Sequence, residues 1–196
     1  MNLPNKLTIS RILLSFAFLG FLFGHGVIYK ALALGTFVLA SITDLLDGYL
    51  AKKRNEMTNF GRLMDPIADK VLVLSAFISF VELGIIPAWM VVIIIFREAA
   101  ITGLRAFALS RGKVLAADGG GKHKTVWQMI AIITILLYLV VREAGMTGGR
   151  SWSAGAERSF HIVILVVMSI TVALTLASGI AYLVKNKGVY ANEKKS

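Results

Sequence analysis

Residues 44–69 read DLLDGYLAKKRNEMTNFGRLMDPIAD, and within these 26 positions stand four of the five aspartates of the chain, Asp44, Asp47, Asp65 and Asp69. Apolar runs enclose the stretch on both sides, LALGTFVLASIT over 32–43 and VLVLSAFISFV over 71–81. A carboxylate at the centre of a membrane helix costs about 2.5 to 3.5 kcal/mol, so four such acids beside lipid-compatible segments require compensation. Acids that are merely solvated are not expected to gather this way. Their concentration marks the place where the chain does its work.

The rest of the sequence identifies the surroundings. Of the 196 residues 57% are hydrophobic, and the mean hydropathy is +0.75, well outside the range of soluble domains. Apolar runs near Leu7–Phe23, Tyr29–Ala51, Pro66–Leu83, Ala88–Ser110, Thr125–Val141 and Phe160–Val184 predict six transmembrane helices. Asn2 to Arg11, with Pro4 and Asn5, is expected to form a short interfacial helix leading into the first of them. The first run lacks a small-residue cleavage site and reads as a retained anchor. Gly145 to Gly155, with four glycines and two serines, reads as a loop. Little chain is left for a soluble module, so the expectation is an all-α integral membrane protein with one domain over residues 1–196.

A formal net charge of +10 suggests nucleic acid at first. The basic residues, however, flank the apolar runs and do not cluster with aromatic platforms, which argues against it. Lys6 and Arg11, Lys52, Lys53, Arg54 and Arg62, Arg105, Arg111, Lys113, Lys122 and Lys124, and the C-terminal lysines fall on one side of the predicted spans. Lys30, Arg142, Arg150 and Arg158 fall on the other. The asymmetry predicts that both termini are cytoplasmic, in the cell membrane. The aspartates then lie in a polar cleft at the cytosolic side. With no cysteine, disulfides and thiolate metal sites are excluded.

Asp44 and Asp47 are spaced i, i+3, and Asp65 and Asp69 i, i+4, so each pair shares a helix face. Carboxylates alone suit a hard cation, Mg²⁺, Mn²⁺ or Ca²⁺, and Mg²⁺ or Mn²⁺ is favoured because these are shared between carboxylates and substrate phosphates. Four carboxylates suit two ions. Asp65 precedes Pro66, and so is expected to cap a helix that starts there or to sit at a kink. Gly48 and Gly61 leave backbone uncovered beside the acids.

The pattern D-x2-D-G-x2-A-K-x8-G-x3-D-x3-D from Asp44 to Asp69 resembles the signature of the CDP-alcohol phosphotransferase family, departing from it at Lys52, where the family has Arg. Arg97-Glu98, Thr102-Gly103-Leu104-Arg105, Gly121-Lys122-His123-Lys124-Thr125 and Gln128, with Pro4-Asn5, Thr8 and Arg11, resemble the bacterial branch whose acceptor is sn-glycerol 3-phosphate. This likeness runs to about Met129; beyond it the chain matches only in being hydrophobic. The resemblance implies CDP-diacylglycerol as donor, phosphatidylglycerophosphate and CMP as products, and a homodimer. It implies that the four aspartates hold the metal, that Asp69 is the catalytic base, and that Gly48, Ala51, Lys52, Thr58 and Gly61 bind CDP-diacylglycerol.

Arg105, Lys122, Lys124 and Thr125 are expected to bind the acceptor phosphate, with backbone donors from a helix beginning beyond the glycines. Arg97 reads instead as part of a structural network with Glu98 or a neighbouring helix. Relatives using inositol phosphate, serine or phosphatidylglycerol as acceptor are the nearest alternative. A divalent-cation transporter is the competing class, opposed by acids confined to one membrane face and by the absence of repeats.

Overall fold

The structure is a computed structural model and describes residues 3–54, 59–110, 120–147 and 153–187; within these, side chains are described outside 3–8, 44–54, 59–69, 120–122 and 147. Six helices make up the described chain: α1 (Leu3–Phe23), α2 (Val27–Arg54), α3 (Asn59–Glu82), α4 (Ala88–Ser110), α5 (Gly120–Thr147) and α6 (Ala154–Lys185). Each corresponds to one of the six apolar runs, α3 ending one residue short of Leu83. A helix satisfies its own backbone donors and acceptors, which is what a segment surrounded by hydrocarbon requires.

α1 packs most extensively against α2 and α3, which touch each other little. α5 joins α2 to α6, and α6 returns onto α4. Phe18, Leu22, Phe37, Leu72, Phe77 and Phe80 fill the α1–α2–α3 contact, with the Phe18 and Phe37 rings 5.8 Å apart and tilted. Ile94, Ile132, Ile135 and Met168 continue this core into the other half. The outside is apolar as well: Ile28 and Phe96 are each 74% exposed, and Leu13, Phe16, Val166, Ile180 and Val184 are exposed too. Helices apolar both inward and outward belong in lipid. The protein is a membrane protein. Among the described residues, His123–Met146 and Ala154–Lys185 are long and apolar enough to cross a bilayer, while Ile9–Phe23 and Val27–Thr43 are shorter apolar helices.

Several boundaries differ from expectation, each for a local reason. The separate interfacial helix is absent: α1 runs unbroken from Leu3 through Phe23, with Pro4 in the first turn, where a missing N–H costs nothing. α3 begins at Asn59, so Pro66 lies inside it and Asp65 is not its cap. The 145–155 loop is shorter than expected, because α5 continues to Thr147 and α6 starts at Ala154. Ser153 opens α6 as its N-cap, its Oγ accepting from the Ala156 N–H at 3.1 Å. Between α3 and α4, Gly84 takes φ +68°, the Gly84 N–H donates to Val81 O at 2.9 Å and the Ile85 N–H to Phe80 O at 3.0 Å. This paired closure of a helix end needs a left-handed residue, hence glycine.

Two charged groups away from the aspartates are accounted for by local bonds. Buried Lys30 donates from Nζ to Leu22 O at 2.6 Å and Gly24 O at 3.0 Å, satisfying carbonyls at and just beyond the end of α1. Glu157 accepts from the Tyr138 hydroxyl at 2.7 Å and pairs with Arg142 at 3.8 Å and His161 at 3.5 Å, tying α6 to α5.

Candidate active site

Asp44 and Asp47 lie in the C-terminal half of α2, and Asp65 and Asp69 in the N-terminal half of α3. The four thus stand on adjoining ends of consecutive helices, separated in sequence by 55–58. Helical register keeps the members of each pair about one turn apart, a rise of about 4.5 to 6 Å. Their side chains, and those of Gly48's neighbours Ala51 and Lys52, lie outside the described ones, as does Thr58 altogether. Gly61 stands in the first turn of α3, one turn before Asp65. Among the described residues no group of three or more His, Cys, Asp or Glu could hold a metal. The donor set on the two helix ends is carboxylate only, and this fits a hard divalent cation.

One turn further along α3 a small cavity of about 50 Å³ opens between α3, α4 and α5. Lys70, Val73 and Leu74 line it from α3, Glu98 from α4, and Lys124, Thr125 and Gln128 from α5. Asp69 immediately precedes Lys70 and stands one helical turn before Val73, so the α3 backbone carries the signature directly into the wall of this cavity. Lys124 Nζ donates to Glu98 Oε1, and Arg97 Nη1 reaches the same oxygen at 3.2 Å. These three side chains are only 12%, 16% and 10% exposed, enough burial to make the pairing necessary. Lys70 Nζ donates to the Thr102 hydroxyl, one turn beyond Glu98. Among the described lining residues two cations, Lys70 and Lys124, stand against one carboxylate, Glu98, an excess of one positive charge, and Arg97 reaches Glu98 from behind the wall. A surplus of that sign beside buried donors is suited to an anion such as phosphate.

A match to the family model of CDP-alcohol phosphatidyltransferases covers residues 1–192. The chain belongs to this family. It is a family of transferases, in general dependent on a divalent metal. A Bacillus subtilis relative named CDP-diacylglycerol–glycerol-3-phosphate 3-phosphatidyltransferase is 44% identical over 149 residues, 70% of this chain and 77% of the relative. A Mycobacterium tuberculosis relative named "Probable phosphatidylglycerophosphate synthase" is 36% identical over 187 residues, 94% of this chain and 81% of its own length. A Mycoplasma pneumoniae relative bearing the same name as the Bacillus protein is 36% identical over 150 residues, 67% of this chain and 66% of its own length. The family likeness therefore extends through α6, past the Met129 limit read from motifs.

Of the residues expected at an acceptor site, Lys124 and Thr125 line the cavity together. Lys122 is in the first turn of α5, its side chain outside the described ones. Arg105 does not line the cavity with them. Two turns beyond Glu98 on α4, its guanidinium lies 5.2 Å from the centroid of the Tyr182 ring, and its Nε donates to the Tyr182 hydroxyl at 3.3 Å. The helix start is also corrected: α5 begins at Gly120, so the Thr125 N–H lies within the helical ladder and is not a free backbone donor at a helix start. The network expected at Arg97 is present, to Glu98 and to Ser178 of α6. Motif reading did not assign Lys70 or Ser178 to the site. Lys70 was legible as the residue following Asp69 on the same helix, while Ser178 carried no sequence signal.

Proposed function

We propose that the protein transfers the phosphatidyl group of CDP-diacylglycerol to sn-glycerol 3-phosphate, giving phosphatidylglycerophosphate and CMP. The observation that carries the reading is the cationic cavity one helical turn beyond Asp69, in a chain similar over most of its length to relatives named for this reaction. Lys124, Thr125 and Lys122 bind the acceptor phosphate, Lys70 adds to the positive wall, and Arg105, turned to Tyr182, stands outside the cavity. An acceptor hydroxyl held there lies toward Asp69, which takes its proton. The hydroxyl oxygen then bonds to the phosphorus that carries the diacylglycerol, the bond from that phosphorus to the bridging oxygen breaks, and CMP leaves with that oxygen. Gly48, Ala51, Lys52, Thr58 and Gly61 bind the CDP-diacylglycerol.

Asp44, Asp47, Asp65 and Asp69 would hold Mg²⁺ or Mn²⁺, as two ions, whose charge offsets that of the pyrophosphate and of the departing CMP phosphate. The apolar exterior lets the acyl chains of donor and product remain in lipid throughout. We read residues 1–196 as one domain with six membrane spans, both termini cytoplasmic, pairing as a homodimer in the cell membrane. Incubating the purified protein with labelled CDP-diacylglycerol and each alcohol in turn tests the acceptor. Labelled phosphatidylglycerophosphate from glycerol 3-phosphate is expected; product from serine or inositol phosphate in its place overturns the assignment.

A further inference from the structure

Lys124 is held at the end of a chain of contacts that begins on α6. Arg97, midway along α4, donates from Nη2 to the Ser178 hydroxyl at 3.0 Å and from Nη1 to Glu98 Oε1 at 3.2 Å. Glu98 passes the same oxygen to Lys124. Gly179 makes room for the arrangement: a Cβ at this position would stand 3.1 Å from Arg97 Cγ and 3.5 Å from its Nε. That Nε is buried without a hydrogen-bond partner among the described residues, so the guanidinium is gripped at its two terminal nitrogens while its stem, from Cγ to Nε, passes over the glycine. Lysine has a long flexible stem, and fixing its ammonium requires an external anchor. Glu98 is that anchor. Glu98 is in turn placed by an arginine whose stem lies so near position 179 that a Cβ there would press on it.

We infer that α6, through Ser178 and Gly179, sets the position of Lys124 in the cavity by way of Arg97 and Glu98, making these four positioning residues for the acceptor phosphate. The inference rests on the reading of the cavity as the glycerol phosphate site. Ser178 and Gly179 both meet Arg97, through which their effect reaches Glu98 and Lys124. An added methyl at 179 displaces Arg97 by a few tenths of an ångström. Misplacement by 1 Å costs about a hundredfold in rate, so a shift of this size corresponds to about three- to tenfold.

The test is a double-mutant cycle on the full chain in detergent or nanodiscs, with KM measured separately for glycerol 3-phosphate and CDP-diacylglycerol. Gly179→Ala is expected to raise KM for glycerol 3-phosphate about three- to tenfold, leave KM for the donor unchanged, and add nothing in a Lys124→Ala background. Ser178→Ala, which removes a bond without introducing a clash, is expected to act in the same direction more weakly, and carries the test if Gly179→Ala does not fold. Equal changes for both substrates, or effects that add to Lys124→Ala, indicate a general structural role and overturn the inference. Wild-type KM in both α6 variants, with KM raised by Lys124→Ala, overturns the relay and leaves the cavity reading standing. A Lys124→Ala variant without a selective effect overturns both.

Discussion

Replacing Lys124 with alanine removes one of the two lysines that line the cavity, and with it the excess of positive charge over Glu98 among the described lining residues. The loss is more than long-range attraction, because Lys124 is 12% exposed and its ammonium is held at the wall by Glu98. A hydrogen bond to a charged group contributes about 1.5 to 3 kcal/mol, which is about ten- to a hundredfold in affinity. Glu98 keeps Arg97 as a partner at 3.2 Å, so the carboxylate is not stranded and the fold should survive. KM for glycerol 3-phosphate is therefore expected to rise about ten- to a hundredfold, and KM for CDP-diacylglycerol to stay within about twofold. Steady-state CMP release, with each substrate varied at saturation of the other, measures both. Equal changes in the two constants would refute the assignment of this cavity to the acceptor phosphate.

Three further outcomes follow from the same structure. Asp69→Asn should abolish CMP release while CDP-diacylglycerol still binds, as read by protection of the protein against thermal unfolding; turnover near the wild-type rate would remove Asp69 as the base. Gly84→Ala meets no atom within 4 Å, so its cost is purely that of φ +68° for an L-residue, about 1 kcal/mol, and should appear as a melting point a few degrees lower with unchanged KM values. Tyr138→Phe deletes the 2.7 Å bond to Glu157 that ties α5 to α6, at a cost of about 1 kcal/mol in thermal stability. A variant as stable as wild type would show that this bond is not a determinant of the α5–α6 contact.

The six apolar runs were legible because lipid demands long apolar helices, and each run became a helix. The ends were not, for the same reason. Hydropathy marks the part of a helix that is compatible with lipid, whereas α3 and α5 continue several residues into polar sequence, through Pro66 and from Gly120. The polar end of α3 carries Asp65 and Asp69, and that of α5 carries Lys124 and Thr125. Asp44, Asp47, Asp65 and Asp69 were singled out by charge concentrated where charge is costly, and Lys124 and Thr125, chosen from a motif, line one cavity. Arg105 was assigned to the same pocket from its level along the chain, yet it stands two turns, about 10 Å, beyond Glu98 on the same face of α4 and is held there by Tyr182. Ser178 and Gly179 could not be distinguished in sequence from the small residues that pack any membrane helix. Only the approach of Arg97 gives them meaning.

The central claim is tested most directly by CMP release from CDP-diacylglycerol by the purified protein, with the divalent ion and glycerol 3-phosphate each omitted in turn. The account predicts release only when both are present, with CMP and phosphatidylglycerophosphate formed in equal amounts. Release that proceeds without glycerol 3-phosphate, or that is unaffected by chelation of the divalent ion, would contradict it.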